Sequence, residues 1–322
     1  MDNGVELDKI EFVRNTLLID HFCKIRSLGG NNCPIIPLKG ISLLFSVYTD
    51  YSRNVGDIDL LVFEKDIEKI IHRLEKIGYI PKTKRTIKVR LRSKGKFDMI
   101  HRDRKQCDLD VHIELINKKW FKFSIGDFTS FALSRIKTIE FNNLKINVLS
   151  ATDEWLYLAQ HYCFHLFSND KWLEDLYRIQ KTFSTTEVTD LIATVYNFHF
   201  ERIVTAVSRR LKNNYPENEI TIPEMLTKKH LIFDTVCSKN LKFAPSFSNR
   251  IIAIYWEFLF IHSCKSRINA YIRLLFPKLQ ILMDIYQCKL LIALLLYPIH
   301  IILVFLSSIL FIPVLVVKNL NL

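Results

Sequence analysis

Asp57-Ile58-Asp59 opens the run DIDLLVF. Side chains two positions apart on a strand point to one face, so this spacing sets two carboxylates side by side. Such neighbours repel, and a divalent cation relieves the repulsion; hard oxygen donors of this kind suit Mg²⁺ or Mn²⁺. The later run Gln106 to Leu115, QCDLDVHIEL, places Asp108, Asp110, His112 and Glu114 on one face of a second strand. If that strand lies beside the first, Asp110 becomes a third carboxylate. Three acids on adjacent strands make a two-metal site, with ions about 3.5–4 Å apart clamping the attacking and leaving oxygens of a phosphoryl transfer. Repulsion alone also predicts that Asp57→Asn or Asp59→Asn leaves the fold intact.

The flanking residues add phosphate chemistry. Pro37-Leu38-Lys39-Gly40-Ile41-Ser42 puts a glycine at the entry to a helical pattern, where backbone N–H groups and the helix dipole hold a phosphate and Lys39 adds a point charge. Arg53, four residues before Asp57, is a second cation for phosphate oxygens. Plainer readings stand beside these: a solvent-facing D-x-D strand, a solvated Lys39, a Gly40 that only turns the chain. His112 reads either as a neighbour of metal or phosphate or as a neutral, hydrogen-bonded structural histidine.

The elements that must position these residues alternate. Residues 8 to 28 carry Ile10, Phe12, Val13, Leu17, Leu18, Phe22 and Ile25 at helical spacing, closed by Gly29-Gly30-Asn31-Asn32. A short strand over Pro34 to Leu38, a helix from Ile41 to Tyr48, the strand Asp57 to Phe63 and a helix from Glu64 to Ile77 follow, with Gly78 as its stop. Lys82 to Lys96 holds eight basic residues and no acid, and Ile87, Val89 and Leu91 alternate with Lys88, Arg90 and Arg92. That period of two predicts a strand with one cationic face, either a polyanion contact or an edge protected by charge. Phe97 to Arg102 and Gln106 to Leu115 read as a hairpin.

Strand signals fade after Val148, and Leu149-Ser150-Ala151-Thr152-Asp153-Glu154 reads as a helix start. The chain is therefore expected to be α+β: a mixed sheet with flanking helices over 1–149, an all-α domain over 150–288 and a hydrophobic tail over 289–318. Residues 290–317 carry no formal charge over 28 positions. About 20 apolar residues suffice to span a bilayer, so the tail is expected to contact a membrane by tilting, by kinking at Pro298 or Pro313, or as a shallow hairpin. A buried helix hairpin is the alternative. Lys265, Arg267, Arg273, Lys278 and Lys289 precede it and place the rest of the chain at the inner, cytoplasmic face.

Composition narrows the function classes. The chain has 322 residues, a net charge of +12 and 49% hydrophobic residues, which excludes disordered and collagen-like proteins. Seven cysteines without a C-x-x-C pair argue against a disulfide framework and a zinc module. An acidic start, MDNGVELDKI, fits neither a signal nor a transit peptide, so a cytoplasmic location is expected.

The segment LKG, sixteen residues and then DIDLLV, followed by a helix and Gly78-Tyr79, resembles a nucleotidyltransferase family of the DNA polymerase β-like superfamily. In that family a Lys-Gly turn opens the core, an Arg precedes an Asp-x-Asp strand, and a later strand carries Asp-x-His. Those features fall on Lys39-Gly40, Arg53, Asp57 and Asp59, and Asp110-Val111-His112. The resemblance covers roughly residues 30 to 180 and implies Asp57, Asp59 and Asp110 as metal ligands. It also suggests a family His, Trp and Asp at His161, Trp172 and Asp175. Implied with it are Mg²⁺ or Mn²⁺, a nucleoside triphosphate substrate, and transfer of its monophosphate to an unidentified acceptor: a small molecule, a glycan precursor, RNA or protein. The rival is a non-catalytic, membrane-associated protein that binds a nucleotide or a polyanion.

Overall fold

The opening helix α1 (Asn3–Gly29) is built on one stripe: Asn15, Leu18, Phe22 and Ile25 are buried, at spacings of three and four. Ile10, Phe12, Val13 and Leu17, which share the same sequence pattern, are exposed. The sequence therefore marks the helix correctly but overstates the width of its inward face. In this computed structural model the described residues are 3–30, 33–48, 50–82, 87, 91, 95–103, 106–116, 127–165, 167–217, 264–286 and 288–320.

After α1 come β1 (Ile35–Leu38), α2 (Lys39–Ser46), β2 (Ile58–Val62), a 3₁₀ turn (Glu64–Asp66) and α3 (Ile67–Lys76). Then β3 (Tyr79–Pro81), β4 (Lys96–His101) and β5 (Leu109–His112) complete a mixed five-stranded sheet in the order β1-β2-β5-β4-β3. Every residue of β1 and β2 is buried, as expected of apolar runs covered on both faces. The β2–β5 pair is parallel, and the β1–β2, β4–β5 and β3–β4 pairs are antiparallel. Gly78 ends α3 at φ +97, a backbone region that L side chains rarely adopt, in agreement with its reading as a stop.

The period-two strand of basic residues is not what forms at its described positions. Ile87 and Leu91 are both helical, and Gly95 N–H donates to the Leu91 carbonyl at 2.9 Å. Positions four apart satisfy a helical repeat as well as an alternating one, so the apolar pattern could not discriminate. Lys88, Val89, Arg90 and Arg92 lie outside the described residues.

A short helix α4 (Phe128–Ser134) leads to a second hairpin, β6 (Lys137–Phe141) and β7 (Leu144–Val148). Its two-residue turn, Asn142-Asn143, has both φ values positive (48 and 63), the geometry that suits the twist of a tight hairpin. Next come α5 (Ala151–Phe164), α6 (Asp170–Lys181), α7 (Thr185–Phe198), α8 (Glu201–Asn214), α9 (Cys264–Leu275), α10 (Leu279–Tyr286) and α11 (Leu290–Leu320). The chain divides into two compact units, one of 1–119 with 127–154 and the other of the remaining residues. The described part of the second unit is helical. α11 runs through both Pro298 and Pro313 as one helix rather than breaking at either. Among the described residues no helix is long and apolar enough to cross a membrane. Cys23, Cys33, Cys107, Cys163 and Cys288 form no disulfide.

The start of α5 is fixed by a buried ion pair. Ser150 Oγ accepts from the Asp153 N–H at 3.2 Å, as an N-cap does. Arg135 grips the same carboxylate with two nitrogens, Nη2 to Oδ1 at 2.7 Å and Nε to Oδ2 at 3.1 Å, and Nη2 also donates to Thr152 Oγ1. The Asp153 side chain has no solvent exposure, so removing the cation strands a carboxylate in a dry site. Arg135→Met is expected to lower unfolding free energy by about 3 kcal/mol, read from the urea midpoint at neutral pH. Asp153→Asn, which keeps hydrogen-bonding partners, should cost less.

Candidate active site

Strand register assembles the acidic residues. Asp59 on β2 sits directly opposite Asp110 on β5, and Asp110 sits opposite Asp98 on β4, so three carboxylates from three adjacent strands form one row. Paired residues share a sheet face. Two positions along the same face, His112 on β5 pairs with Lys96 on β4. The alternating residues Leu60, Val111 and Phe97 point the other way and are buried.

Polar contacts knit this row together. Lys39 Nζ donates to Asp59 Oδ1 at 2.6 Å, and His112 Nε2 lies 3.2 Å from the same oxygen and 4.0 Å from Asp110 Oδ2. Lys96 Nζ donates to Asp110 Oδ2. The Asp59 side chain is 4% exposed and that of Asp110 19%, so Asp110 is the one that solvent and a ligand reach. A donor atom from each of Asp59, Asp110 and His112 falls within 4.8 Å of the others. Two carboxylates and an imidazole at this separation fit a divalent cation, with oxygen donors predominating as Mg²⁺ or Mn²⁺ prefers.

Electrostatics set the protonation states. Burial works to raise the Asp59 carboxyl, but the Lys39 ammonium and the His112 hydrogen bond outweigh it and hold the group well below the usual carboxylate range. Asp110 is likewise lowered: burial opposes its charge, while a hydrogen bond with Asp98 and the charge of Lys96 favour it. Burial depresses the basicity of Lys39, yet Asp59, Asp110 and Asp57 together keep the ammonium above its normal range. Burial pushes His112 down, which favours the neutral imidazole. His112 is at once a hydrogen-bonded ring and a neighbour of the two carboxylates that could hold a metal.

Asp57 is not on the strand. It occupies an exposed bend immediately before β2 rather than a paired strand position. It still belongs to the same field, because surrounding protein and the Asp59 charge push its carboxyl upward. For Asp59→Asn the buried pair with Lys39 gives a reason to expect a cost in stability. The attraction of Lys39 for this buried carboxylate outweighs the repulsion from its acidic neighbours, and neutralising Asp59 leaves the lysine unpaired.

The Lys-Gly turn has a steric logic. Lys39 begins α2 at φ +52, a strained backbone for a residue with a side chain, immediately after Leu38, which pairs with Asp59. A Cβ on Gly40 would run into Arg53 Nη1 and fall 3.1 Å from Val55 Cγ1, so the glycine makes room for the guanidinium. The segment carrying Arg53 is pinned to α1: Asn15 Nδ2 donates to the Tyr51 and Arg53 carbonyls, each at 2.7 Å. Ser42 lies fully buried in α2, with no hydrogen-bond partner for its hydroxyl among the described residues.

Asp98, Lys96 and Asn15 escaped the sequence reading. Asp98 was legible in principle, since Phe97 and Met99 flank it in an alternating strand. Asn15 left no signal, because a lone polar residue on a helix stripe shows its role only through the loop it holds. In the other unit, His161 packs 4.5 Å from the Trp172 ring and 4.3 Å from His165, between ring centroids, and Asp175 is fully buried in α6.

Residues 12–214 match the model of a family described as uncharacterised nucleotidyltransferase, a span of more than half the chain. A comparison with curated proteins finds no match.

The Lys39–Asp59 pair makes a pH-dependent prediction. A carboxyl lowered in the folded state stabilises above its unfolded pKa, about 3.9, and loses that contribution as pH falls through the folded value. In Lys39→Met burial is opposed only by His112, so Asp59 rises instead. The variant should be about 3 kcal/mol less stable at pH 7, and the deficit should begin to close above about pH 4, where the variant's raised carboxyl takes up its proton, and go on closing as pH falls toward the low folded value of the native Asp59. Urea unfolding across that range measures it; a deficit independent of pH would mean that lost packing, not charge, is responsible.

Proposed function

The chain belongs to the uncharacterised nucleotidyltransferase family, and from that premise we propose that it transfers a nucleoside monophosphate from a nucleoside triphosphate to an acceptor hydroxyl or phosphate. The observation that carries this reading is the row Asp59–Asp110–Asp98, with His112 and Lys39 in contact with its most buried member. Asp59 and Asp110 are the residues that would hold Mg²⁺ or Mn²⁺, with Asp57 at the approach and His112 beside them. A bound divalent cation supplies Lewis-acid polarisation of the α-phosphate and neutralises charge on the departing pyrophosphate.

The rest is done by the chain itself. An acceptor oxygen attacks the α-phosphorus, the bond from that phosphorus to the β-bridging oxygen breaks, and pyrophosphate leaves. In this reading the acceptor's proton passes to Asp110, which is more accessible than Asp59. Lys39 and Arg53 supply positive charge for the triphosphate oxygens, Arg53 lying against the Gly40 backbone at the head of α2. His112, neutral and hydrogen-bonded to Asp59, keeps that carboxylate oriented.

The test is release of pyrophosphate from labelled nucleoside triphosphates with Mg²⁺ or Mn²⁺. Asp110→Asn is the informative variant, since its side chain is only partly buried, and it should lower turnover by about 10²–10³-fold with an unchanged circular dichroism spectrum. Asp59→Asn should lose both turnover and stability. Turnover that survives Asp110→Asn would place the chemistry elsewhere.

A further inference from the structure

The three C-terminal helices are arranged the reverse of a water-soluble bundle. On the described side chains of α11, residues 290–306, the only polar groups are Tyr297 and His300, and both face inward. His300 Nε2–H donates to the Leu274 carbonyl at 2.8 Å, and its Nδ1 lies 3.0 Å from the Tyr286 hydroxyl. The Tyr297 hydroxyl donates to the Pro277 carbonyl at 3.0 Å. The Leu274 carbonyl, in the last turn of α9, and the Pro277 carbonyl just beyond it, which water would ordinarily satisfy, thus take their partners from α11. Ala293, His300 and Val304 form a buried seam on α11, and Leu274 and Leu282 are buried on α9 and α10.

What faces outward is hydrocarbon. Leu291, Leu295, Ile302 and Phe305 on α11, with Ile268 on α9 and Phe276 just beyond it, are each more than half exposed. A helix that is apolar on its outer face, with the polar side chains among its described ones paired internally, meets the condition that a lipid environment imposes. The charges agree with one particular lipid surface. Arg273, Lys278 and Lys289 are exposed on these helices and their connections, and no acidic residue follows Asp284 in the sequence. At 31 residues α11 is about 46 Å long, and among the described residues it does not qualify as a membrane-crossing helix. It is also tied alongside α9 and α10.

We propose that α9, α10 and α11 dock as one unit into a single leaflet of an anionic bilayer, with α11 lying in the plane and Arg273, Lys278 and Lys289 meeting the head groups. This goes beyond the proposed transferase reaction and does not depend on it, because its readout needs no nucleotide.

The experiment is flotation of the full-length chain on a density gradient with vesicles of phosphatidylcholine and phosphatidylglycerol at 3:1, and with phosphatidylcholine alone. The chain should float with the anionic vesicles. Leu291→Asp with Leu295→Asp, at exposed positions, should leave it at the bottom with an unchanged circular dichroism spectrum. Arg273→Ala, Lys278→Ala and Lys289→Ala together should weaken anionic binding about a hundredfold, since each basic residue near such a surface strengthens binding about fivefold, and should leave binding to phosphatidylcholine unchanged. This triple variant decides the matter if the aspartate pair fails to fold. A chain that stays at the bottom with both vesicle types overturns the proposal. So does a dimer that the aspartate pair dissociates without any flotation, which would assign this face to a second copy.

Discussion

A negative charge buried in the middle of a sheet has to be balanced, and around Asp59 that requirement organises the neighbourhood. The carboxylate is nearly sealed from solvent, with Asp110 directly across the strand pair and Asp57 two residues before it. Lys39 supplies the compensating charge, and it does so from the first residue of α2, where its backbone takes a left-handed conformation. Such strain persists only where the surroundings over-determine it. Here they do: Leu38 is locked into the sheet opposite Asp59, and Gly40 must lie against Arg53. The pair and the turn are one device.

The same balance shapes what the cluster can bind. Two lysines stand on two carboxylates, Lys39 on Asp59 and Lys96 on Asp110, while His112 is kept neutral by burial. A row of acids with cations at its edges suits a divalent ion together with a polyphosphate, because each neutralises the other's charge as both leave water. That combination is what the proposed nucleotidyl transfer needs. Rigidity comes from regular elements: the acids sit on three hydrogen-bonded strands, and the loop with Arg53 is bolted to α1 by the two Asn15 hydrogen bonds.

The C-terminal helices obey the opposite rule. In the sheet, charge is buried and paired beneath apolar walls; in α9 to α11, apolar side chains face out and the few polar ones are paired within.

Strand and helix alternation in the first half, the D-x-D run, the Lys-Gly turn and the start of α5 were all legible in the sequence, because each depends on local periodicity or on the chemistry of neighbouring residues. Residue types two apart, a glycine after a lysine and a Ser-x-x-Asp cap carry their meaning within a few positions. Contacts between distant segments were not legible. That Asp110 lies opposite Asp59, that Asp98 extends the row, and that Asp57 steps off the strand all follow from register, which pairs residues up to about fifty positions apart. Asn15 is invisible for the same reason, and Ile87 and Leu91 misled because a spacing of four fits two periods at once. Local patterns determined which residues this protein has available for chemistry; only tertiary packing, by deciding which charges are buried against which, made them a site.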